Sequence, residues 1–533
     1  MKLQKPILAI LAALTLGAAC TAQANEIEHV LLISVDGLHA LDVERYINSH
    51  PHSALATLAH HGVTYTNART PSLSDSFPGL LALVTGGSPV SHGLFYDVSY
   101  DRTMFDPTNT GCTGAPGNTI VFDETIDNYS ASGLSLNTIN PAALPRKLKD
   151  GACVPVYPHD MLRTNTIFEV VKQHGGHTAW ADKHPAYDLV NGPSGKGVDD
   201  LYTPEITNAP AVGSGPDATS SVMCTVANDK LKVAAVLNQI NGKLHDGRPG
   251  KGTPAVFGMN FQAVSVGQKL ANDKGNNDCA SEIDPEGLKL KGKAGGYKDG
   301  AGTPSLVLQY GLEKTDASLQ SMIDGLKKAG KFDSTLMVIS AKHGQSPINP
   351  AKVNKPGHFA DLVAALPDAS SPEATAIANA AACGSGACGF VQDDDIALIW
   401  LQDQMQTGAV ANYLNRNAGK LFIDEVLAGD ELKLKFNNPA IDSRTPDIIV
   451  QPQYGTVYTG SAKKNAEHGG MSYGDTNVGL ILSNPSLDAK VIKTPVTTAQ
   501  VAPTILGFLN IEAEDLDAVR IEHTQPLPGI SGR

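Results

Sequence analysis

No block of lysine and arginine runs through this sequence. Its densest basic patch, Lys289-Leu-Lys-Gly-Lys293, sits among glycines, and the formal net charge is −13. A nucleic-acid polymer is therefore not the expected partner. Beyond the first twenty residues no stretch is long and apolar enough to span a bilayer, so no membrane span is expected. No internal repeat appears at solenoid periods. No CxxC pair appears either, which argues against a cysteine-bound structural zinc.

What is present begins with a leader. Lys2 and Lys5 precede an apolar run from Ile7 to Ala19, and Ala22-Gln23-Ala24 follows as a cleavage site. Residues 1–24 read as a secretory signal peptide, which makes the chain exported, periplasmic or secreted. Cys20 raises a lipoprotein alternative, set lower because Gly17 stands where such sites usually carry leucine. Six cysteines remain after the leader: Cys112, Cys153, Cys224, Cys279, Cys383 and Cys388. An even count in an exported chain points to disulfides. Neighbour pairing gives 112–153, 224–279 and 383–388, one of about fifteen connectivities that six cysteines allow.

Residues 25–533 read as one large α/β domain with insertions. His29-Val-Leu-Leu-Ile-Ser-Val35 is a continuous apolar run ending in Asp36-Gly37, the pattern of a buried parallel strand. Further strands are expected at Gly62–Asn67, His177–Ala181, Ala255–Phe261, Leu336–Ala341, Pro446–Val450 and Asn477–Leu482. Helices are expected over Leu38–Ser49, Ile167–His174 and Leu306–Ala329. The alternation implies a mostly parallel central sheet covered by helices on both faces. Residues 101–160, rich in Pro, Gly, Asn and Thr, read as a loop insertion. About 349–437 reads as a small inserted α+β subdomain, after which Pro446–Val450 is expected to return to the core.

The stretch Thr70–Gly93 delivers Ser76 to the start of a short helix. Pro78 suits the first turn, Leu80, Leu81, Leu83 and Val84 form the buried side, and Gly86-Gly87 stops it. Unpaired N–H groups and the positive dipole end favour an anion there, so the Ser76 hydroxyl is placed to attack a phosphorus or sulfur ester. It would equally serve as an N-cap with no chemistry. Asp36, at a strand's carboxyl end, lies where open α/β sheets bind ligands, and would also suit a helix cap.

Four segments in order resemble the alkaline phosphatase superfamily, and within it the type I phosphodiesterase/nucleotide pyrophosphatase family. They are Val35-Asp36-Gly37; Ser76-Phe77-Pro78 running on to Thr85-Gly86 and Ser91-His92-Gly93; Ser340-Ala341-Lys342-His343-Gly344; and His468-Gly469. The resemblance covers most of residues 27–510 and implies an alkaline phosphatase-like fold. It also implies two metal ions, usually zinc, bracketing a phosphoryl group beside a Ser/Thr nucleophile. Carried over, one metal would take Asp36, Ser76, position 342 and His343. The other would take positions 264 and 268 with His468, and Asp97 falls where the family often has a phosphate-touching Asn.

Lys342, Val264 and Gln268 replace three of the expected ligands. Three readings follow. In one, Lys342 pairs with Asp36 or Asp97 and does the electrostatic work of a metal beside Ser76. In another, one divalent metal, a zinc, survives at a rebuilt site drawn from Asp36, Asp97, His343 and His468, with Asp182 or His184 available for recruitment. In the third, the fold persists as a noncatalytic ligand-binding relative. Asn260 and Gln262 are placed to line the pocket, though ordinary hydrogen bonding would explain them equally. The leading expectation is an exported hydrolase of a small-molecule phosphate ester, a diester or pyrophosphate, with Ser76 as nucleophile and Lys342 stabilising charge. A sulfatase would need an arginine two residues after the proline, where Leu80 stands.

Overall fold

The structure is a computed structural model that describes residues 26–121, 126–131, 133–207, 217–275, 289–383 and 387–530. The candidate leader, Cys20 and Cys279 lie outside the described residues.

Eight strands build the main sheet: His29–Val35 (β1), Gly62–Tyr65 (β2), Ala179–Ala181 (β3), Asp200–Tyr202 (β4), Val256–Phe261 (β5), Thr335–Ser340 (β6), Ile481–Ser483 (β7) and Lys490–Ile492 (β8). Their order across the sheet is β4-β3-β5-β1-β6-β7-β2-β8. All run one way except β7, which pairs antiparallel with both β6 and β2. The fold is the expected mostly parallel α/β sheet with added small sheets. Every residue of β1, β5 and β6 is buried, because helices cover a parallel sheet and leave its strands no solvent side.

The helix expected over Leu306–Ala329 runs Leu306–Lys328, capped by Ser305, and packs on the Val222–Ile240 helix. The helix at Leu38–Ser49 begins two residues later, at Ala40, because His39 is its N-cap.

The insertion over 101–160 carries short antiparallel hairpins, among them Arg146–Lys149 with Ala152–Pro155. Disulfides join Cys112 to Cys153 and Cys383 to Cys388, as neighbour pairing anticipates. Cys224 is also disulfide-bonded; its expected partner, Cys279, is outside the described residues.

A second sheet holds Gly389–Asp393, Ala397–Leu401, Ile448–Pro452 and Ile423–Ala428, in that spatial order and all antiparallel. The Pro446–Val450 stretch therefore does not return to the main sheet. It is an inner strand of the small one, where Ile448 and Val450 join a separate core with Ile399 and Tyr458. An apolar run reports that a strand is buried, not in which sheet.

Candidate active site

Four neighbouring parallel strands end side by side. β3 runs into Asp182 and Lys183, β5 into Gln262, β1 into Asp36, and β6 through Ala341 into Lys342 and His343. The register sets Val35 opposite Phe261 and Ser34 opposite both Asn260 and Ser340, so these side chains leave the sheet at one level. The Asp229 carboxylate fixes the turn after β5 by accepting the Gln262 and Ala263 N–H groups.

The nucleophile segment crosses this edge. The helix spans Ser76–Thr85 and ends on Gly86 in the left-handed conformation. Its N-cap is Asp75, whose carboxylate accepts from the Phe77 N–H. Ser76 is thus the first helical residue and its hydroxyl is not used as a cap. Gly79 brings the helix against the Lys342 backbone; a Cβ there would lie 1.9 Å from the Lys342 carbonyl oxygen.

The Ser76 Oγ lies 3.2 Å from His343 Nε2. His343 Nδ1 is 2.8 Å from the Gly344 carbonyl, which can only accept, so Nδ1 carries the proton and Nε2 offers a lone pair to the serine. Burial lowers the His343 pKa to about 3 although Asp36 opposes it, so the ring is neutral at pH 7. Asp36 Oδ2 is 3.9 Å from the same Nε2. His468 stacks on His343 with ring centroids 3.8 Å apart, and burial holds it, too, in the neutral form. Its Nδ1 lies 3.4 Å from Asp75 Oδ1. Burial and the neighbouring Asp97 raise the Asp75 carboxyl well above the usual range.

Lys183 reaches into the centre. Its Nζ donates to Asp36 Oδ2 at 2.9 Å and to Gln262 Oε1 at 2.8 Å, and lies 3.5 Å from Ser76 Oγ. Asn260 donates to the same Asp36 oxygen at 3.2 Å. Burial works against the Asp36 charge, but Lys183 and Lys342 outweigh it and hold the carboxylate well below its usual range. Asp36, Asp182, Lys342 and His343 form the floor of this cluster, at 0% exposure, while Ser76 (3%), Gln262 (6%), Lys183 (7%) and His468 (7%) keep slight exposure.

The structure thus brings Asp36, Ser76, His343 and His468 into one cup. Lys342 belongs to its floor but does not do what was expected of it. Its ammonium bonds both oxygens of Asp182, at 3.1 and 3.0 Å, and lies 3.9 Å from the centre of the Tyr187 ring. It pairs with neither Asp36 nor Asp97, because β3 places Asp182 nearer. Asp97 is half-buried and accepts the N–H of Val98. His184 bonds Glu205 at 2.7 Å and is not recruited. Val264 is buried in the Ala263–Lys269 helix, and Gln268 bonds the Gly37 carbonyl and Asp42. Lys183, Asp75 and Tyr187 were missed. Lys183 follows a strand just as Asp36 does, and that placement was the available signal; no family motif marks it.

The sequence profile of the type I phosphodiesterase/nucleotide pyrophosphatase family matches residues 30–172 and 290–475, more than half of the chain. The chain belongs to that family. Among solved structures it is similar to the alkaline phosphatase PafA (13% identity, 95% of this chain and 99% of that chain, TM-score 0.60). It is also similar to murine ectonucleotide pyrophosphatase/phosphodiesterase 5 (14% identity, 91% and 96%, TM-score 0.52). An inactive variant of the murine protein, in complex with AMP, matches at the same identity, coverage and TM-score. Comparison with curated protein sequences gives no match.

Two-metal chemistry is usual in this family, but the donor set here does not fit it. Among the described residues no group of three or more His, Cys, Asp or Glu side chains is arranged to hold a metal ion. Asp36 is taken by Lys183, and Asp182 by Lys342. A divalent ion about 4 Å from one ammonium is repelled by roughly 8 kcal/mol at an effective dielectric of 20. Of the expected ligands, His343 turns its free nitrogen to Ser76 and Asp97 is bound to its own loop.

Proposed function

We propose that this member of the family is an exported hydrolase of phosphate esters, acting on diesters or pyrophosphates through Ser76. The reading is carried by one observation, the Ser76 hydroxyl 3.2 Å from the unprotonated nitrogen of His343. This is a nucleophile with its base already in hydrogen-bond reach. Export is supported by the leader sequence and by the disulfides. Among the described residues no helix is long and apolar enough to cross a membrane. AMP in the murine relative makes a nucleotide the natural first substrate class to assay.

In the first step the Ser76 oxygen attacks phosphorus. The Oγ–P bond forms, the bond to the leaving oxygen breaks, and the Ser76 proton passes to His343 Nε2, where Asp36 stabilises the imidazolium. His343 then gives that proton to the leaving oxygen, and its freed Nε2 takes a proton from the water that attacks phosphoserine. The P–Oγ bond breaks, and Ser76 recovers its proton from His343. The sum is one water consumed and one ester bond cleaved. Developing charge on the phosphoryl oxygens faces the N-terminus of the Ser76–Thr85 helix.

The test is turnover of bis(4-nitrophenyl) phosphate and of a dinucleotide pyrophosphate by wild type and Ser76→Ala. Wild type should turn over, and Ser76→Ala should lose at least about 1,000-fold in kcat. Unchanged turnover by Ser76→Ala overturns the assignment. So does tight orthovanadate binding by a wild type that cleaves neither substrate, which would mark a ligand-binding relative.

A further inference from the structure

We propose that Lys183 replaces a divalent metal between Asp36 and Ser76, so that this site binds and polarises a phosphoryl group without a metal ion. The inference rests on the phosphoester reading for its substrate, and on the geometry of Lys183 for everything else.

An ammonium has three N–H donors and no acceptor. Two of those on Lys183 are committed, one to the strand-end carboxylate of Asp36 at 2.9 Å and one to Gln262 at 2.8 Å. The third points to Ser76 Oγ, 3.5 Å away, a contact long enough to give way to a stronger acceptor. A phosphoryl oxygen entering beside Ser76 would complete that set. A cation bridging the strand-end carboxylate and the nucleophile occupies the position that a family metal would fill, and it is covalently attached to the chain.

The surroundings are built for a fixed ammonium. Asp36 and Gln262 hold it from β1 and β5, while its own backbone leaves β3, so three adjacent strands determine its position. The Gln262 backbone is in turn tied to Asp229, which pairs with Lys232 at 2.9 Å. Lys342 adds a second cation on the floor, balanced by Asp182, which also accepts from the Trp180 indole N–H at 3.0 Å and the Lys183 backbone N–H at 2.9 Å. The replacement of family ligands by Lys342, Val264 and Gln268 then follows as a consequence.

The full chain, expressed in zinc-supplemented medium and purified without chelator, is assayed for metal by plasma mass spectrometry. It is then assayed for turnover before and after exhaustive dialysis against EDTA and 1,10-phenanthroline. Less than a tenth of an equivalent of any divalent transition metal is expected, with turnover changed less than twofold by chelation. Lys183→Met should lose at least about 100-fold in kcat/KM, and at least tenfold in orthovanadate affinity read by calorimetry. Lys183→Arg keeps the charge and should recover part of both; it is the control if Lys183→Met does not fold. A stoichiometric metal overturns the proposal, as does loss of turnover on chelation with recovery on adding zinc. So does vanadate affinity that neither variant changes. Failure of the phosphoester reading is a separate result, because metal content and vanadate affinity are read without any turnover.

Discussion

A single missing Cβ holds the nucleophile in place. At Gly79 the Ser76–Thr85 helix comes so close to Lys342 that any side chain would meet that residue's carbonyl oxygen at 1.9 Å. The carbonyl belongs to the segment leaving β6 and cannot move without dragging His343 with it. Gly79→Ala should therefore push the helix outward and lengthen the Ser76–His343 contact. Overpacking of this kind costs about 1–3 kcal/mol, and a nucleophile misplaced by about 1 Å loses on the order of 100-fold in rate. Turnover near wild type in Gly79→Ala, with a crystal structure showing the helix unmoved, would contradict this. The same scale shows why Lys183 was not legible beforehand. In sequence it is one residue of Asp182-Lys183-His184-Pro185, and its place after a strand is the one local signal; that signal does not distinguish a lysine that caps a loop from one whose ammonium lies between a carboxylate and a serine. Lys342 was legible as an anomaly but not in its partner. One reading gave it Asp36 or Asp97 as a carboxylate partner, and Asp182 takes that place.

At the scale of elements, the edge strand β4 depends on a pair that titrates. Asp200, its first residue, accepts from His245 Nδ1 at 2.6 Å and from Gln239 at 2.8 Å, while the His245 ring stacks on Tyr202 at 4.7 Å. The hydrogen bond to Asp200 raises the His245 pKa against the effect of burial; Asp246 adds to it and Arg248 opposes it. Burial works against the Asp200 charge, but His245 and Gln239 lower its pKa overall. A raised histidine stabilises fully below its unfolded value of about 6.5, and the contribution fades as pH rises through the folded value. The lowered Asp200 stabilises above its unfolded value and loses this as pH falls through the folded one. His245→Gln should cost roughly 1 kcal/mol at pH 5.5 and little at pH 9. Urea unfolding at the two pH values checks this, and an equal cost at both would exclude the ionic account. Element boundaries were mostly readable because the apolar runs are long and unbroken. The strand at Ile448–Pro452 was readable as a strand and misassigned to a sheet, since its burial is the same in either core.

Across the whole molecule, the 101–163 segment and the chain entering the small sheet at 442–447 are riveted by arginines. Arg163 forks onto Asp442 at 2.7 and 2.8 Å, and Arg102 reaches Asp447 at 2.6 Å. Arg444 pairs with the buried Asp101 at 2.7 Å while donating to the Gly93 and Met161 carbonyls. Arg444→Met would leave Asp101 buried without its cation, a loss of about 3–5 kcal/mol. Urea unfolding should show that loss, and Asp101→Asn added to Arg444→Met should restore part of it. A single-variant cost below about 1 kcal/mol would mean that the Arg444–Asp101 pair does not hold the insertion down.

The amino-acid sequence alone determined the buried strands, the helix that begins at Ser76, the family and most of the acid and imidazole side chains of the cup. Those features are written in apolar periodicity, glycine placement and short motifs, all of which are local. Tertiary structure alone decided which cation meets which carboxylate, because that depends on the sheet order. Only when β3 lies beside β5, and β5 beside β1, does Lys183 come within reach of Asp36 and Ser76. Strand neighbours are chosen by packing over hundreds of residues, and no window of sequence carries that choice.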